Sequence, residues 1–446
     1  MKLTFILLIP TSNTAQNKKY IKRYINAGPM VGAPQMREVT FWVQLRKKAK
    51  VQIQYWEVGN KKKRYSTAIA QTLPSRAYVV HLRGDCLQPG KVYEYQLLIN
   101  NRKIKWPYPM RFQTPPLWYR RIKEAPNFRF ALGSCAFIND GLYDYKGKPY
   151  GGDYQIFSHI YTHHPQFMLW LGDNVYFRES DWTSRTGMIY RYTHDRSIPE
   201  LQPLLNCSGH IAIWDDHDFG PNDSSSDFIL KDSALATFQQ FWANPSYGTP
   251  KLPGVFTQFQ WSDCEFFLLD NRYYRTANFS KTQPSPAILG KEQLDWLINA
   301  LVNSKAKFKF IAIGGQVLNT AAKYETYIHV APQEREELIG RIHKEDIKGV
   351  IFLTGDRHHS EINILNEKGY YPIYEFTISP LTSGTADKID ETNTNRIEGS
   401  LKLHRAFGII DVFTQGQGRM IQLTIYNANN QLSLLHVVKE SDFIRR

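Results

Sequence analysis

The chain has 446 residues, which is too long for one small hydrophobic core and predicts two domains. Its apolar content of 42% and its many aromatic residues exclude an intrinsically disordered chain. The formal net charge of +14 favours anionic partners such as phosphate esters, nucleic acid or acidic membrane surfaces. A solvated lysine-rich surface is the alternative, because the densest basic run, residues 61–64, lies between strand-like stretches and predicts a hairpin tip.

The beginning of the chain has the pattern of a secretory signal peptide. An early Lys2 precedes the apolar segment 3–9, and small and polar residues follow to Ala15, so residues 1–15 predict export to the periplasm or the exterior. A buried first strand is the alternative. No apolar run approaches the length needed to cross a bilayer. The four cysteines are too few for a disulfide framework in so long a chain and are expected as free thiols, with a bridge between Cys207 and Cys264 left open.

The chain divides into an all-β part and a mixed part. Residues 25–115 contain short runs with period-two alternation, as at Val39, Phe41 and Val43, separated by Gly, Asn and Pro turns, which predicts a small β-sandwich. Prolines between 107 and 116 indicate a stiff linker. Residues 120–440 alternate apolar runs with helical stretches and return to strands after 405. This part predicts an α+β domain in which a sheet packs on a sheet and helices lie outside.

Five apolar runs of the second part each end in a short cluster of metal-ligating residue types. These endings are Gly133-Ser134-Cys135, Gly172-Asp173-Asn174-Val175-Tyr176, Asp215-Asp216-His217-Asp218, Gly314-Gly315-Gln316 and Gly355-Asp356-Arg357-His358-His359. Strands of one sheet that stop with such residues can aim them at one point, and a point ringed by carboxylate, imidazole, thiolate and phenolate groups is a metal site. One such ending means little, but five in one domain are hard to explain as a hydrophobic core.

The spacing of these residues suits two metal ions and a phosphate ester. Asp173 follows its strand directly through Gly172 and is a candidate for the carboxylate that bridges two ions. Asp216 and His217 are adjacent, so their side chains diverge, and one can bind metal while the other faces substrate. In an extended segment, Asp356 and His358 lie on one side, as two ligands of a shared centre would.

The ligand types predict a mixed-metal centre. A thiolate from Cys135 and a phenolate from Tyr176 favour trivalent iron over zinc or magnesium. The oxygen ligands Asp216, Asn222 and Asp356 suit calcium or manganese. The alternatives are that Cys135 is a small buried residue at a strand end and that Tyr176 is a core aromatic residue.

Taken together, these motifs resemble the PhoD-like family of alkaline phosphatase/phosphodiesterases. The motifs are Gly28-Pro29-Met30-Val31-Gly32, Gly133-Ser134-Cys135, Gly172-Asp173-x-x-Tyr176, Trp214-Asp215-Asp216-His217-Asp218, Leu269-Asp270-x-Arg272-Tyr273-Tyr274-Arg275 and Gly355-Asp356-x-His358. The resemblance runs from about residue 25 to the end. It implies a fibronectin-like N-terminal β-sandwich and a four-layer α/β/β/α core of the calcineurin-like metallophosphoesterase superfamily. It also implies ferric iron and calcium as cofactors, with zinc or manganese as alternatives.

The resemblance assigns roles to individual positions. The residues matched to the iron ligands are Cys135, Asp173, Tyr176 and His358, and those matched to the calcium ligands are Asp173, Asn222 and Asp356. Asp216 and His217 stand where the wider superfamily has an Asn-His pair, so Asp216 is a candidate metal and catalytic residue. His217 is a candidate phosphate-binding residue and acid for the leaving group, with a buried structural histidine as the alternative. Gln316 stands where many relatives carry a metal-binding histidine, and it either holds a water or is structural.

Basic residues near these motifs are candidates for contact with a phosphate. Arg357 is a candidate catalytic residue because it lies between two proposed ligands, and Arg272, Arg275 and His359 are candidate substrate-binding residues. For the arginines, surface ion pairs are the alternative.

The sequence therefore predicts a secreted, monomeric hydrolase of phosphoesters, an alkaline phosphatase or phosphodiesterase, in which a metal-held hydroxide attacks phosphorus in line. No specific nucleic-acid binding is expected. A phospholipase- or nucleotidase-type hydrolase on the same core is the first alternative. The second is a non-catalytic surface protein in which the sandwich binds a partner, which would require broken ligand clusters.

Overall fold

The computed structural model describes residues 12–119, 125–144, 146–278, 280–282, 285–416 and 418–445. Residues 1–11 of the predicted signal peptide lie outside the described residues, so the cleavage prediction stays a prediction.

The described strands are, in chain order, β1 (Ile25–Val31), β2 (Val39–Leu45), β3 (Lys50–Glu57), β4 (Tyr65–Ser66), β5 (Ala70–Gln71), β6 (Val79–Gly84), β7 (Val92–Ile99), β8 (Arg102–Lys103), β9 (Arg111–Gln113), β10 (Phe128–Gly133), β11 (Phe167–Leu171), β12 (Gly209–Ile213), β13 (Thr257–Trp261), β14 (Cys264–Leu268), β15 (Phe308–Ala312), β16 (Val350–Thr354), β17 (Glu361–Leu365), β18 (Ile373–Thr377), β19 (Ala406–Gln415), β20 (Gly418–Asn427) and β21 (Leu432–Lys439).

The described α-helices are α1 (Ser12–Tyr24), α2 (Gln155–Thr162), α3 (Glu179–Trp182), α4 (Arg185–Asp195), α5 (Gln202–Cys207), α6 (Asp216–Phe219), α7 (Lys231–Phe241), α8 (Lys291–Asn303), α9 (Tyr327–Val330) and α10 (Pro332–Lys344). Among them, none combines the length and the apolar character that a bilayer-crossing helix requires.

Two large sheets carry the second part of the chain. The first has the order β21-β20-β19-β10-β11-β12-β1-β2-β6, and the second has the order β13-β14-β15-β16-β18-β17. Strands β10, β11 and β12 are mutually parallel, as are β14, β15, β16 and β18. Because the carboxyl ends of parallel strands meet at one edge of a sheet, the segments that follow these strands gather at two neighbouring edges.

The layers follow from which apolar faces are buried together. Between the two sheets, aromatic rings interlock: Phe130 meets Phe266 edge-on at 5.3 Å, and Phe266 stacks on Phe310 at 5.0 Å between ring centroids. The other face of the first sheet is covered by α2, α4, α5 and α7, and that of the second by α8 and α10. The order of layers is thus helices, sheet, sheet, helices, and the strands are buried on both faces.

The N-terminal strands are joined to this core. Strands β1, β2 and β6 share an apolar cluster with a third sheet, of order β4-β3-β7-β8, in which β5 pairs with β3 and β9 with β7. However, β1 also pairs in parallel with β12, so one face of this cluster belongs to the nine-stranded sheet. The division into a fibronectin-like sandwich at 25–115 and a separate domain at 120–440 stays a prediction.

A buried histidine lies on one strand of the first sheet. His210 of β12 has no exposed surface; its Nδ1 accepts a hydrogen bond from Trp170 Nε1 at 2.9 Å, and its Nε2 lies 3.0 Å from the Leu204 carbonyl oxygen. These two partners require a neutral ring that accepts at Nδ1 and donates from Nε2. Burial lowers the pKa of His210 to about 3.

We expect the free energy of unfolding to fall as the pH drops below about 6.5, the ordinary pKa of histidine. His210 takes up a proton at about pH 6.5 in the unfolded chain but only near pH 3 in the fold, so it removes about 1.4 kcal/mol of stability for each pH unit below 6.5. Denaturant melts of wild type and His210→Gln between pH 7 and about pH 4.5 should show the shallower pH dependence in the variant. His164→Asn, at an exposed position, is the control and should keep the wild-type slope. Equal slopes in all three proteins would contradict the assignment.

Candidate metal centre

The strand ends of the two large sheets touch each other. A Cβ on Gly314, after β15, would lie 2.2 Å from Asp215 Oδ2, after β12. A Cβ on Gly355, after β16, would lie 2.4 Å from Ser134 Oγ, after β10. No real Cβ contact is so short, so only glycine permits this approach. The Gly355 backbone N–H also donates to the Gly314 carbonyl at 2.7 Å, and a Cβ on Gly172 would lie 2.8 Å from Asp215 Cβ. All five predicted endings therefore meet at a single junction between the sheets.

Asp173 lies at the centre of this junction. Its Oδ2 accepts a hydrogen bond from the Tyr176 hydroxyl at 3.1 Å and lies 3.5 Å from Cys135 Sγ, while its Oδ1 accepts from the His217 backbone N–H at 3.3 Å. Within the described residues, two groups of ligand atoms that fit one ion each share this carboxylate: Cys135 with Asp173 and His358, and Asp173 with Asp216 and His217. Asp173 thus belongs to both groups and is a candidate to bridge two ions.

Cys135, Tyr176 and His358 form the first side of the centre. The Ser379 hydroxyl donates to Cys135 Sγ at 3.2 Å and accepts from the His358 backbone N–H at 3.1 Å. The Tyr176 hydroxyl is 3.3 Å from His358 Nε2, and the Tyr150 hydroxyl is 3.1 Å from Nδ1. Both ring nitrogens of His358 are therefore oriented by phenols, and the thiol, phenol and imidazole predicted as iron ligands converge.

Asp216 and His217 form the second side, at the start of the short helix α6. Asp216 Oδ2 accepts from the Asp223 backbone N–H at 2.8 Å, whereas its buried Oδ1 has no hydrogen-bond partner in the described part of the chain. The His217 ring lies against the Tyr176 ring, with 4.2 Å between centroids, and its Nε2 is 3.9 Å from Asp216 Oδ2. Asn222 is exposed in the loop that closes over Asp216.

Four candidate ligands have strained backbones. Cys135, Asp173, Asp356 and His358 all have positive φ values, of 59°, 52°, 65° and 55°. This left-handed region is uncommon for residues with a Cβ and persists only where the surrounding fold imposes it. The strain aims each side chain back toward the junction immediately after its strand ends.

Burial disfavours the charged forms of four of these groups. Burial is the main cause that raises the pKa of Asp173 well above its usual range, and repulsion from Asp216 is the second. Burial also raises the pKa of Tyr176 well above its usual range, and the charge of Asp173 is the second cause. Burial raises the pKa of the Cys135 thiol to about 12, and burial with nearby carboxylates raises the pKa of Asp356 to about 7. A bound cation would stabilise all four in their anionic, ligating forms.

The two sides are electrostatically different. Burial alone would raise the pKa of Asp216, but His217 and Arg272 together outweigh it and lower that pKa below its usual value. Burial lowers the pKa of His358, which keeps its ring in the neutral form that ligates metals. Asp216 Oδ1, which accepts no hydrogen bond from the described residues, adds to a donor set that fits a soft, thiolate-containing position beside an oxygen-rich one.

A buried ion-pair network supports the second side. Arg272 Nε donates to Asp215 Oδ1 at 2.5 Å, and its guanidinium pairs with Glu325 and lies 3.6 Å from Asp216 Oδ1. Arg275 pairs with Glu325 at 2.6 Å. Both arginines are 1% exposed, so the structure places these two predicted substrate-binding residues behind the ligands and not at a surface that a substrate could reach.

Three other predicted residues form a second buried network. The Gln316 amide donates to Glu361 and Thr377 and accepts from Arg357 and Asn319, so it is fully satisfied and structural. His359 has no exposed surface, and its Nδ1 lies 2.9 Å from the Arg357 carbonyl oxygen, so the structure does not bring it to solvent either.

A cleft opens beside Asp356 and His358. It has a volume of about 280 Å³, and it is lined by these two residues, Tyr150, Tyr324, Arg357 and the loop 384–391. The Arg357 guanidinium donates to Gln316 and Glu391 and lies 5.0 Å from the Tyr324 ring centroid, so it forms a fixed wall of this cleft. The junction is therefore reachable from solvent on the Asp356 side.

Sequence reasoning did not assign three residues of this site. Ser379 follows β18 and could have been found, since it lies at a strand end like the candidate ligands. Tyr150 and Glu325 lie in loops without any pattern that indicates their partners. They reach His358 and Arg272 across 208 and 53 sequence positions, which only the tertiary structure shows.

The chain is similar to known proteins over most of its length. Residues 130–421, more than half of the chain, match the family of PhoD-like phosphatases. The chain is 25% identical over 402 residues to alkaline phosphatase D of Bacillus subtilis (strain 168), an alignment that covers 76% of this chain and 65% of that protein, slightly less than two thirds of its length.

Two solved structures share the fold. One is the structure of PhoD, with a TM-score of 0.74 and 19% identity over 93% of this chain and 92% of that one. The other is purple acid phosphatase PPD1 from yellow lupin (Lupinus luteus) seeds, with a TM-score of 0.67 and 12% identity over 92% and 73% of the two chains. The resemblance expected from the motifs is thereby confirmed: the chain belongs to the PhoD-like phosphatase family.

Proposed function

We propose that this protein is a metal-dependent hydrolase of phosphomonoesters, phosphodiesters or both. The observation that carries the proposal is the position of Asp173, whose carboxylate is shared by two groups of ligand atoms at the junction of the two sheets. A shared carboxylate between two ion positions is the arrangement that two-metal phosphoester hydrolysis requires. Membership of the PhoD-like phosphatase family supports it.

The residues divide into two ligand sets. Cys135, Asp173, Tyr176 and His358 would hold ferric iron, and Asp173, Asp216, Asn222 and Asp356 would hold calcium, with zinc or manganese as alternative ions. When bound, the ions would supply Lewis-acid activation of water and stabilise charge on the phosphoryl oxygens. The Tyr150 hydroxyl, which contacts His358 Nδ1, fixes the orientation of that ligand.

His217 is the proposed acid for the leaving group. Its side chain is 22% exposed, and the Tyr176 ring holds it in place beside the shared carboxylate. Burial lowers the pKa of His217, although Asp216 opposes this effect. An anionic phosphate in the cleft would favour the protonated ring, from which a proton can pass to the departing alkoxide.

The buried arginines act as positioning residues in this proposal. Arg272 joins Asp215 and Asp216 to Glu325, and thereby orients the carboxylate of the second ion position. Arg357 forms the wall of the cleft beside Asp356. Secretion or a periplasmic location, a fibronectin-like N-terminal domain and a monomeric state belong to the same proposal, and the first rests on the apolar segment after Lys2.

The activity itself is tested with the purified full chain on a phosphomonoester, a phosphodiester and a phospholipid. We expect hydrolysis of at least one of the first two, loss after chelation, and recovery when metal is restored. Asp173→Asn should lower kcat/KM at least about a hundredfold, because it removes the shared ligand, and even an outer-shell partner of a metal is worth 10–100-fold. Full activity of the chelated protein would overturn the proposal.

The iron assignment is tested by elemental analysis of Cys135→Ser. We expect iron and activity to fall together, because serine replaces the only thiolate in the centre formed by the described residues. Cys264→Ser is the matched control: Cys264 is equally buried but lies in the core between the sheets. It should lower the melting temperature and retain the metal content of the folded protein. Retained iron in Cys135→Ser would remove that residue from the ligand set.

The role of His217 is tested by the dependence of rate on the leaving group. His217→Gln should lower kcat about 10²–10⁴-fold for an alkyl phosphate, whose leaving group needs a proton. It should lower kcat far less for p-nitrophenyl phosphate, whose leaving group departs as a stable anion. An equal loss on both substrates would indicate that His217 acts in binding or in structure, and not as the acid.

A further inference from the structure

One end of the N-terminal region carries ten basic side chains that come together from three segments. The first segment is α1, with Lys19, Lys22 and Arg23. The second runs from the β2–β3 turn to the first residue of β3, with Arg46, Lys47, Lys48 and Lys50. The third is β8 and the residues after it, with Arg102, Lys103 and Lys105. This set is called the basic end below. Eight of the ten are exposed, and only Lys47 and Arg102 are half-buried.

Hydrogen bonds show that the three segments are contiguous. The Asn17 amide donates to the Lys105 carbonyl at 2.7 Å, which joins α1 to the segment after β8. The Arg46 backbone N–H donates to the Tyr24 carbonyl at 2.7 Å, which joins α1 to the β2–β3 turn. The Lys50 backbone N–H donates to Asn100 Oδ1 at 2.9 Å, which joins that turn to the end of β7.

In the part of the chain that the structure describes, no carboxylate forms an ion pair with the basic end. Segments 12–37, 46–56, 66–84 and 95–119 contain neither aspartate nor glutamate. Within the described residues, none of the ten bases lies within salt-bridge distance of a carboxylate. The ion pairs of this region, such as Lys61–Glu94 and Arg83–Glu38, involve bases outside the set. A large share of the net charge of +14 is thus unpaired and concentrated on one surface, and such a surface attracts anions.

Two exposed aliphatic side chains border the basic end. Ile69 is 56% and Leu73 is 42% exposed, and they flank strand β5, which pairs with the start of β3. The hydroxyl of Thr72, next to Leu73, accepts a hydrogen bond from the Ala49 backbone N–H and donates one to the Lys47 carbonyl, so this segment contacts the β2–β3 turn. Basic side chains combined with exposed aliphatic ones suit a lipid surface, where the charges meet headgroups and the aliphatic groups enter the interface.

The aromatic residues of the basic end are not available for base stacking. Tyr20 and Tyr24 stack on each other with 4.5 Å between centroids, and the Arg102 guanidinium and the Lys47 ammonium lie over their rings. Proteins that hold single-stranded nucleic acid present free aromatic faces in a charged groove. The covered tyrosines therefore favour a lipid surface over a nucleic acid.

The basic end lies at the opposite end of the first sheet from the metal centre. Strand β1 starts at α1 and runs parallel to β12, whose carboxyl end leads to Asp215 and Asp216. Binding through the basic end would therefore leave the cleft facing away from the surface that holds the protein.

We propose that the basic end docks this protein peripherally on a bilayer surface rich in anionic lipid, with the metal centre turned toward the surrounding solution. The binding is electrostatic, with Ile69 and Leu73 entering the interface, and it requires no spanning helix. This inference is independent of the hydrolytic activity proposed above, because it concerns residues that contact neither the centre nor its ligands.

The test is co-sedimentation of the full chain with vesicles of phosphatidylcholine, with and without phosphatidylglycerol. We expect binding only to the anionic vesicles, and its loss when ionic strength rises from about 0.1 M to about 1 M, where the Debye length shrinks from about 10 Å to about 3 Å. The charge-reversal variant Lys22→Glu/Arg23→Glu/Lys48→Glu should weaken partitioning at least about tenfold, since each base near an anionic surface contributes a severalfold effect.

The matched control reverses three charges elsewhere. Lys62→Glu/Lys63→Glu/Arg64→Glu changes the net charge by the same amount at the exposed turn after the other end of β3, and it should bind vesicles like wild type. Unchanged melting curves show that both variants fold. An equal loss of binding in the control would show that net charge alone causes the effect. Full binding by the first variant would show that the basic end does not contact the membrane. Either result overturns the proposal.

A second variant separates lipid from other polyanions. Ile69→Ser/Leu73→Ser should weaken vesicle binding about fivefold or more while leaving the weak, salt-sensitive retention on duplex DNA unchanged. If the double variant binds vesicles like wild type, and wild type binds DNA as tightly as anionic vesicles, the surface is a general polyanion site and the lipid assignment is wrong.

Discussion

Two glycines, Gly314 and Gly355, allow the edges of the core sheets to touch, and that contact brings together the strand ends from which most candidate ligands project. A side chain at either position would collide with Asp215 or Ser134 on the facing sheet. The junction exists because the parallel strands of two packed sheets all end on the same side. The loops that follow them therefore lie close together in one small volume. A methyl group at the junction would force the two halves of the ligand set apart, because packed cores adapt poorly to added volume.

The density of buried acids at this junction has a physical consequence. Asp173, Asp215, Asp216 and Asp356 lie close enough to shift one another's pKa values, and the described fold compensates only part of their charge, through Arg272 and Arg275. These arginines are drawn to Glu325 and Asp215 behind the site. The side that faces the cleft is left rich in anionic oxygen, thiol and phenol groups, whose ionised forms need cations. Arg272 and Arg275 thus hold the carboxylates from behind, and the candidate ion positions lie in front of them.

The two ends of the first sheet have opposite electrostatic character. The carboxyl ends of β10, β11 and β12 gather acids and candidate metal ligands. The far end, beyond the start of β1, carries bases without ion pairs among the described residues, together with the exposed Ile69 and Leu73. This polarity assigns chemistry to one end and attachment to the other. A cleft that faces away from its attachment surface suits phosphoesters in solution better than the headgroups of the lipid to which the protein would bind, which disfavours a phospholipase among the alternatives.

How far the site could be predicted depended on where each residue lies relative to a strand. Cys135, Asp173, Asp216 and His358 follow apolar runs within a few positions, and since strand ends share an edge, their convergence could be expected from order alone. Arg272, Arg275 and His359 have the same local signal, yet the structure buries them. Nothing in a sequence distinguishes a base that faces a cleft from one that faces a neighbouring acid, because that difference is set by which side of the loop the facing sheet covers.

The sequence by itself determined the alternation of strands and helices, the identity of the ligand-bearing loops and the family, because these depend on local periodicity and on short motifs. Only the tertiary structure decided that β1, β2 and β6 join the nine-stranded sheet, that Tyr150 and Ser379 orient the ligands, and that Glu325 neutralises the arginines. It also gathered the basic residues of three distant segments onto one surface. Contacts of this kind join positions that are far apart in the chain, and they are set by how whole sheets pack, which no local pattern encodes.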